Sequence, residues 1–209
     1  MSKALCCYAF ETLVNKLNLE LNKVPLKSYF QALHEDESKL PQSAPLFVTW
    51  NKNSQLRGCI GTFQSLPVES GVAKFTVSSA FQDPRFAPIS AKEVASLEVD
   101  VTLLDKFQPI SDYNDWTVGV HGLKLSFELD SEYYLGTFLP SVAEEQDWDK
   151  LTTLYYLLKK ADYPVSKKLT EEFYSTGLKE GWLKLTKYEG LKAHVTYDDF
   201  VAIRESILE

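Results

Sequence analysis

The sequence predicts an α+β fold: a mixed, largely antiparallel sheet with flanking helices. Strand-like alternation and helix-like spacing are interspersed along the 209 residues. Three pairs of strand-like segments are joined by short turn sequences at Asn51 to Ser54, Asp130-Ser131 and Glu189-Gly190. Such joints read as hairpins, which parallel sheets do not use. A chain that is 44% hydrophobic and 13% aromatic is globular in composition, and this length suits one large domain or one domain with a small appended lobe.

Taken in order, residues 4–21 place Leu5, Ala9, Leu13, Leu17 and Leu21 at i+4 spacing, the stripe of an amphipathic helix packed by one face. Lys27 to Leu33 adds a short helix before the polar loop His34 to Ser38. Pro45 opens a strand, Leu46 to Trp50, and the Asn51 to Ser54 turn returns the chain through Leu56 to Phe63. Pro67 suits the first turn of a helix that runs to about Gln82. Asp83 to Pro88 holds two prolines four apart, which breaks both helix and sheet ladders. Ser90-Ala91-Lys92-Glu93 is a capping box opening a short helix. Glu98 to Leu103 alternates as a half-buried strand, and Ser111 to Trp116 is a polar connection. Thr117 to Leu129 and Glu132 to Leu139 form the second hairpin. Ser141-Val142-Ala143-Glu144 reads as another capping box, with helices over 141–147 and 149–161, the latter burying Leu151, Leu154, Tyr155 and Leu158. Thr170 to Thr176 is helical. Trp182 to Lys187 and Leu191 to Thr196 make the third hairpin, and a helix from about Asp198 turns Phe200, Ile203 and Ile207 inward.

Charge excludes some functions. The net charge is −7, and residues 1–149 carry 12 Lys+Arg against 20 Asp+Glu, so most of the chain repels a phosphate backbone and nucleic acid is a disfavoured partner. Residues 150–209 carry 10 against 9, which leaves only local contact through the C-terminal lysines. No apolar run approaches the ~18 residues that span a bilayer. The start Met1-Ser2-Lys3-Ala4 leads into a helical pattern and not a secretory signal. A soluble, intracellular protein without a membrane partner is expected. Cys6, Cys7 and Cys59 are odd in number and, with His34, His121 and His194, offer no CxxC or HxxxH spacing, so neither a disulfide framework nor a metal site is predicted. Arginine is scarce, Arg57, Arg85 and Arg204 against nineteen lysines. The few arginines are therefore expected where a planar fork is needed.

Candidate chemistry gathers in three stretches. In Leu56 to Phe63, Cys59 lies between Gly58 and Gly61, which permit a bulge or the close approach of a ligand or another backbone. Arg57 nearby could activate the thiol as a nucleophile; the other reading is a small side chain packed between layers. In Gly119-Val120-His121-Gly122, His121 is either a general base or a histidine hydrogen-bonded to the backbone at a strand irregularity. In Asp83-Pro84-Arg85-Phe86, Arg85 can fork a carboxylate or phosphate, or pair with Asp83 to pin the loop to the core. Cys59 with His121 is the minimum for thiol catalysis, but no neighbouring motif supplies an orienting Asn or Asp. Trp148 is expected in the core; Trp116 fits either core or pocket wall.

These residues resemble the AMMECR domain family, named for the Alport syndrome, midface hypoplasia and elliptocytosis chromosomal region. The family's LRGCIG-type motif is intact as Leu56 to Gly61. The likeness continues through Ser79-Ala80, Asp83, Arg85-Phe86, Pro88, Leu103-Leu104, Asp115-Trp116, Val118 to Gly122, Leu139-Pro140, Val142-Ala143, Glu145-Gln146, Trp148-Asp149, Leu185-Thr186 and Tyr188. Asp147 stands where the family usually has glycine, Ala161-Asp162-Tyr163 where it has Gly-Gly-Tyr, and Tyr174 to Gly181 lengthens a connection. The resemblance implies a single AMMECR-type domain over 1–209, with a larger and a smaller lobe, a cleft between them, and about 150–209 contributing to the second lobe. It also implies residence in the cytoplasm or nucleus. It names no activity and no cofactor. The expected function is binding of a small molecule or modified residue by Arg57, Gly58, Cys59, Gly61, Asp83, Arg85 and His121, with Cys59 and His121 as catalytic candidates. The alternative is a non-catalytic module that docks a protein partner.

Overall fold

The computed structural model describes residues 2–19 and 22–209. It is an α+β protein whose six strands form one sheet: β1 (Ser43–Lys52), β2 (Gln55–Pro67), β3 (Leu97–Ile110), β4 (His121–Leu129), β5 (Glu132–Phe138) and β6 (Leu183–Thr196), in the order β2-β1-β3-β6-β4-β5. The β1–β2, β1–β3, β4–β5 and β4–β6 pairs are antiparallel. The chain divides into two compact units, Met1–Leu103 with Leu191–Glu209, and Leu104–Gly190. Residues 150–190 fall in the second of these units and residues 191–209 in the first.

In the first unit, α1 (Lys3–Lys16), α2 (Leu26–Ala32), α3 (Val68–Phe81) and α7 (Tyr197–Leu208) share one core with the strands. Alternation along β1 is strict: Ala44, Leu46, Val48 and Trp50 are buried while Phe47, Thr49 and Asn51 are only partly so. Period-2 geometry therefore sends the first set to the helices and leaves the second on the opposite face. Phe10 of α1 meets Trp50 edge-on at 5.1 Å and stacks on Phe200 of α7 at 5.2 Å. The first helix is not packed by one face as expected. Ala4 to Glu11 are all buried, so it is enclosed on every side. It also ends at Lys16, before Leu17, and Leu21 lies outside the described residues.

Enclosure explains a buried charge that hydropathy alone would not place. Glu11 is 0% exposed and accepts hydrogen bonds from Arg204 Nε (2.8 Å), Tyr29 Oη (2.6 Å), the Val24 N–H (3.0 Å) and Asn15 Nδ2 (2.8 Å). Its ion pair joins α1 to α7 across most of the chain.

The second unit packs α4 (Pro140–Glu145), α5 (Lys150–Lys160) and α6 (Thr170–Glu180) with β4, β5 and the adjoining strand segments around Trp116, Leu125, Leu154, Leu157 and Leu158. The buried side of α5 is Thr153, Leu154, Leu157 and Leu158, a rotation from the expected Leu151–Tyr155 stripe. The capping box expected at Ser141 does not form. Pro140 occupies the first turn and moves the cap back to Leu139, which has no side-chain hydrogen bond to offer.

Two of the three expected hairpins exist. Both use two-residue loops with positive φ at both central residues, Asn53 and Ser54 at 52° and 60°, and Asp130 and Ser131 at 52° and 63°. This is the type I′ preference, whose twist matches that of the strands. The third does not exist: Glu189-Gly190 sits inside the continuous strand β6. That polar step coincides with the end of pairing to β4, where His121 faces Glu189, and not with a reversal. Likewise 117–120 is a turn before β4, not its first residues.

Candidate functional site

Leu56 to Phe63 lies on β2, an edge strand of the sheet. Trp50 pairs with Gly58 and Asn51 with Leu56, so Arg57 has no opposite residue and forms a bulge. The glycines are used for close packing. A Cβ on Gly58 would run into the Ser79 carbonyl of α3, and one on Gly61 into the Leu46 carbonyl and the Phe47 ring. Only a bare Cα lets helix and neighbouring strand approach this closely.

The Asp83–Arg85 loop completes the edge. Asp83, 5% exposed, accepts from the Cys59 N–H (2.9 Å), the Arg85 N–H (3.1 Å), Arg85 Nε (3.0 Å) and Arg85 Nη2 (2.7 Å). Arg85 Nη2 also donates to the Cys59 carbonyl at 3.3 Å. One ion pair thus takes both backbone groups of Cys59, as a further strand would, and blunts the edge there. The side-chain hydrogen bond from Arg85 holds the Asp83 carboxyl well below the usual carboxylate range.

Arg57 turns to a different partner. Its Nη2 and Nε donate to Glu93 Oε1 (2.9 Å) and Oε2 (3.3 Å), where Lys52 Nζ arrives at 3.0 Å and the capping Ser90 N–H at 2.9 Å. Burial pushes the Glu93 carboxyl up, but bonds from Arg57, the Ser90 N–H and Lys52 outweigh it and bring the pKa down to about 2. All three arginines of the chain therefore serve a carboxylate: Arg57 with Glu93, Arg85 with Asp83, Arg204 with Glu11. The fork is used where scarcity suggested, and its partners are the protein's own side chains.

The thiol of Cys59 faces another way. Cross-strand partners share a face, and Cys59 stands opposite Thr49, which in turn stands opposite Asp100 of β3. The Thr49 hydroxyl donates to Cys59 Sγ at 3.1 Å. Asp100, 5% exposed, bonds His194 Nδ1 of β6 at 2.8 Å through one oxygen, and Asn51 Nδ2 (3.2 Å) and Lys192 Nζ (3.0 Å) through the other. Glu98 Oε2 lies 3.7 Å from His194 Nε2. The result is a row of thiol, hydroxyl, carboxylate and imidazole across four strands, on the face away from the helices. With neighbouring strands ~4.8 Å apart, the ends of this row are separated by roughly 14 Å, too far for direct proton transfer from thiol to imidazole. Of the row, only Cys59 was a sequence candidate. The signal for the rest is the outward alternation of Glu98 and Asp100 against Lys192 and His194, which becomes informative only once β3 and β6 are known to be neighbours.

His121 belongs to the second unit. Its Nδ1 accepts the Thr117 N–H at 3.0 Å, and its own N–H donates to the Thr117 carbonyl at 3.0 Å, closing the turn that enters β4. Gly119 holds that turn with φ at 78°, and a Cβ there would stand 3.1 Å from the Glu144 carboxylate. The ring thus bonds the backbone at a strand irregularity, through an N–H instead of a carbonyl. Trp116 is core, 3% exposed, with its indole N–H on the Tyr113 carbonyl at 2.9 Å. Trp148 packs on the same core and stacks on Tyr156 at 4.4 Å. Cys6 and Cys7 are fully buried, and burial pushes the Cys7 thiol up to about 12 and that of Cys6 higher still. Among the described residues, no group of His, Cys, Asp and Glu side chains could hold a metal ion, and no helix is long and apolar enough to cross a membrane.

The sequence profile of AMMECR1 matches residues 6–177. The chain belongs to the AMMECR1 family. It is 36% identical over 203 residues to an uncharacterized protein of Schizosaccharomyces pombe, covering 95% of each chain. It is 35% identical over 170 residues to an uncharacterized protein of Arabidopsis thaliana, covering 78% of this chain and 73% of that one. The crystal structure of an uncharacterized protein from Pyrococcus horikoshii shares the fold with a TM-score of 0.64 at 24% identity, over 91% of this chain and 89% of that one. The Schizosaccharomyces and Arabidopsis relatives carry no activity in their names.

Proposed function

We propose that this AMMECR1-family protein binds a small polar molecule or a modified side chain on the helix-free face of its first unit, along the row Cys59, Thr49, Asp100 and His194. The observation that carries this is the row itself. A buried carboxylate shared by three donors fixes one imidazole at an exposed sheet face, three strands away from a thiol that is itself held in place. Arg57, Gly58, Gly61, Asp83 and Arg85 act as positioning residues: they set the backbone of Cys59 and leave its side chain to the row. The function is binding and not thiol–imidazole catalysis, because the row separates the two groups. Three free cysteines fit a reducing compartment, the cytoplasm or nucleus.

Amide and side-chain NMR shifts of the labelled chain, recorded against pools of polar metabolites, test the reading. A binder should move Thr49, Cys59, Asp100 and His194 together, and His194→Ala or Thr49→Val should abolish its effect without lowering the melting temperature. Binders that move only residues elsewhere would sink the proposal.

A second reading rests on Leu56 and Phe63, 43% and 37% exposed at either end of the motif. They are suited to flank a protein partner docked over the same face. Loss of a partner on Leu56→Ser, with binding kept by His194→Ala, would favour that reading.

A further inference from the structure

The second unit carries an open groove of about 510 Å³ lined entirely by its own residues. Tyr163, Phe173 and Trp182 wall it, Leu129 and Leu169 extend its apolar surface, and Glu172 is the one charged side chain lining it among the described residues. Nothing in the row on the first unit uses these groups. The volume lies within the roughly 300–1,000 Å³ of small-molecule sites.

The aromatic walls are set by packing that does not involve a ligand. Phe127, 2% exposed, touches all three rings, with centroids 5.2 Å from Tyr163, 5.3 Å from Phe173 and 6.1 Å from Trp182. Phe173 and Trp182 meet at 5.1 Å and 74°, which makes a corner, and Tyr163 continues the wall 4.9 Å from Phe173. The Trp182 indole N–H is tied to Glu180 Oε2 at 2.9 Å. Gly177 of α6 gives the indole its room, since a Cβ there would come within 2.9 Å of it.

Charge and surface type select the occupant. Aromatic faces are electronegative and attract cations, and Glu172 adds a carboxylate. An anion meets both unfavourably. A compact ammonium such as that of lysine is strongly hydrated and gains little from apolar walls, whereas a quaternary ammonium carries its charge behind methyl groups that the walls can bury. The geometry points to a binding site for a small organic cation bearing a quaternary ammonium group, held over Trp182, Phe173 and Tyr163 with Glu172 as counter-ion.

Choline and 3,3-dimethyl-1-butanol have the same shape and differ in charge, so titrating the ¹⁵N-labelled full chain with each separates cation recognition from simple hydrophobic filling. The indole N–H of Trp182, assigned by its loss in Trp182→Phe, should shift saturably with choline. Choline should bind about two- to fivefold more tightly than its neutral isostere, the ratio expected of a cation–π contact at an open site. Glu172→Gln should weaken choline several-fold, and Phe173→Leu should remove the preference for the charged probe while keeping the amide spectrum of the fold. Equal affinity for both probes overturns the assignment. So do choline shifts that leave Trp182 unmoved, or no saturation of either probe at concentrations on the order of 10 mM.

Discussion

Glu93→Gln isolates the ionic anchor behind the LRGCIG stretch. The Glu93 side chain is 14% exposed and receives Arg57, Lys52 and the Ser90 N–H. Its pKa is brought from the ordinary 4.5 to about 2. A carboxyl whose folded pKa lies below its unfolded value contributes stability in full above the unfolded pKa, and loses it as pH falls through the folded one. At about 1.4 kcal/mol per unit, the gap corresponds to roughly 3 kcal/mol. Lys52 is 39% exposed and the cluster lies just beneath the surface. Solvent screening therefore reduces the figure to roughly 1–2 kcal/mol. Urea unfolding followed by circular dichroism should show the variant less stable by that amount at neutral pH. The difference should shrink as pH falls from 4.5 toward 2, where wild type loses the same charge. Salt of about 0.5 M should narrow it as well. A difference that stays constant across the acid range, or is absent at neutral pH, would refute the anchor.

Arg204→Met should be more damaging, by about 3–5 kcal/mol, because it strands a fully buried carboxylate; the double variant Glu11→Met with Arg204→Met should recover much of that loss in a denaturant titration. Iodoacetamide should label Cys59 alone in the native protein and all three cysteines in urea, read by intact mass, since Cys6 and Cys7 are buried and their thiols are held protonated. Rapid native labelling of either would mean that α1 opens far more readily than its packing allows.

Local signals in the sequence sufficed where the cause of structure is local. The type I′ turns, the helix behind Pro67, the irregular Asp83 to Pro88 segment and the Ser90–Glu93 capping box all follow from residues a few positions apart. Local pattern misleads where a distant neighbour decides. Glu189-Gly190 has the composition of a turn, yet β6 runs through it beside β3, with β4 pairing as far as Glu189. Ser141 has the spacing of a cap, but Pro140 displaces it. Most of the candidate site was hidden for the same reason: His194 and Asp100 are far apart in sequence and meet only because β3 and β6 are adjacent. Asp83 and Arg85 were legible as a pair and Cys59 as a separate candidate; the bonds that join them were not. That the two charges hold the backbone of Cys59 follows from the edge position of β2.

The division of the chain also bears on its synthesis. The first unit is interrupted by Leu104–Gly190 and closed by Leu191–Glu209, which supply Ala193, Val195, Phe200 and Arg204 to its interior. On the ribosome, residues up to Leu103 emerge with their apolar strands and with Glu11 lacking its guanidinium. At the usual elongation rates they wait on the order of ten seconds for these last segments. The second unit, contiguous in sequence, can fold during that interval. The first is therefore the part of the nascent chain most dependent on a holding chaperone, and the part that a late frameshift would leave open.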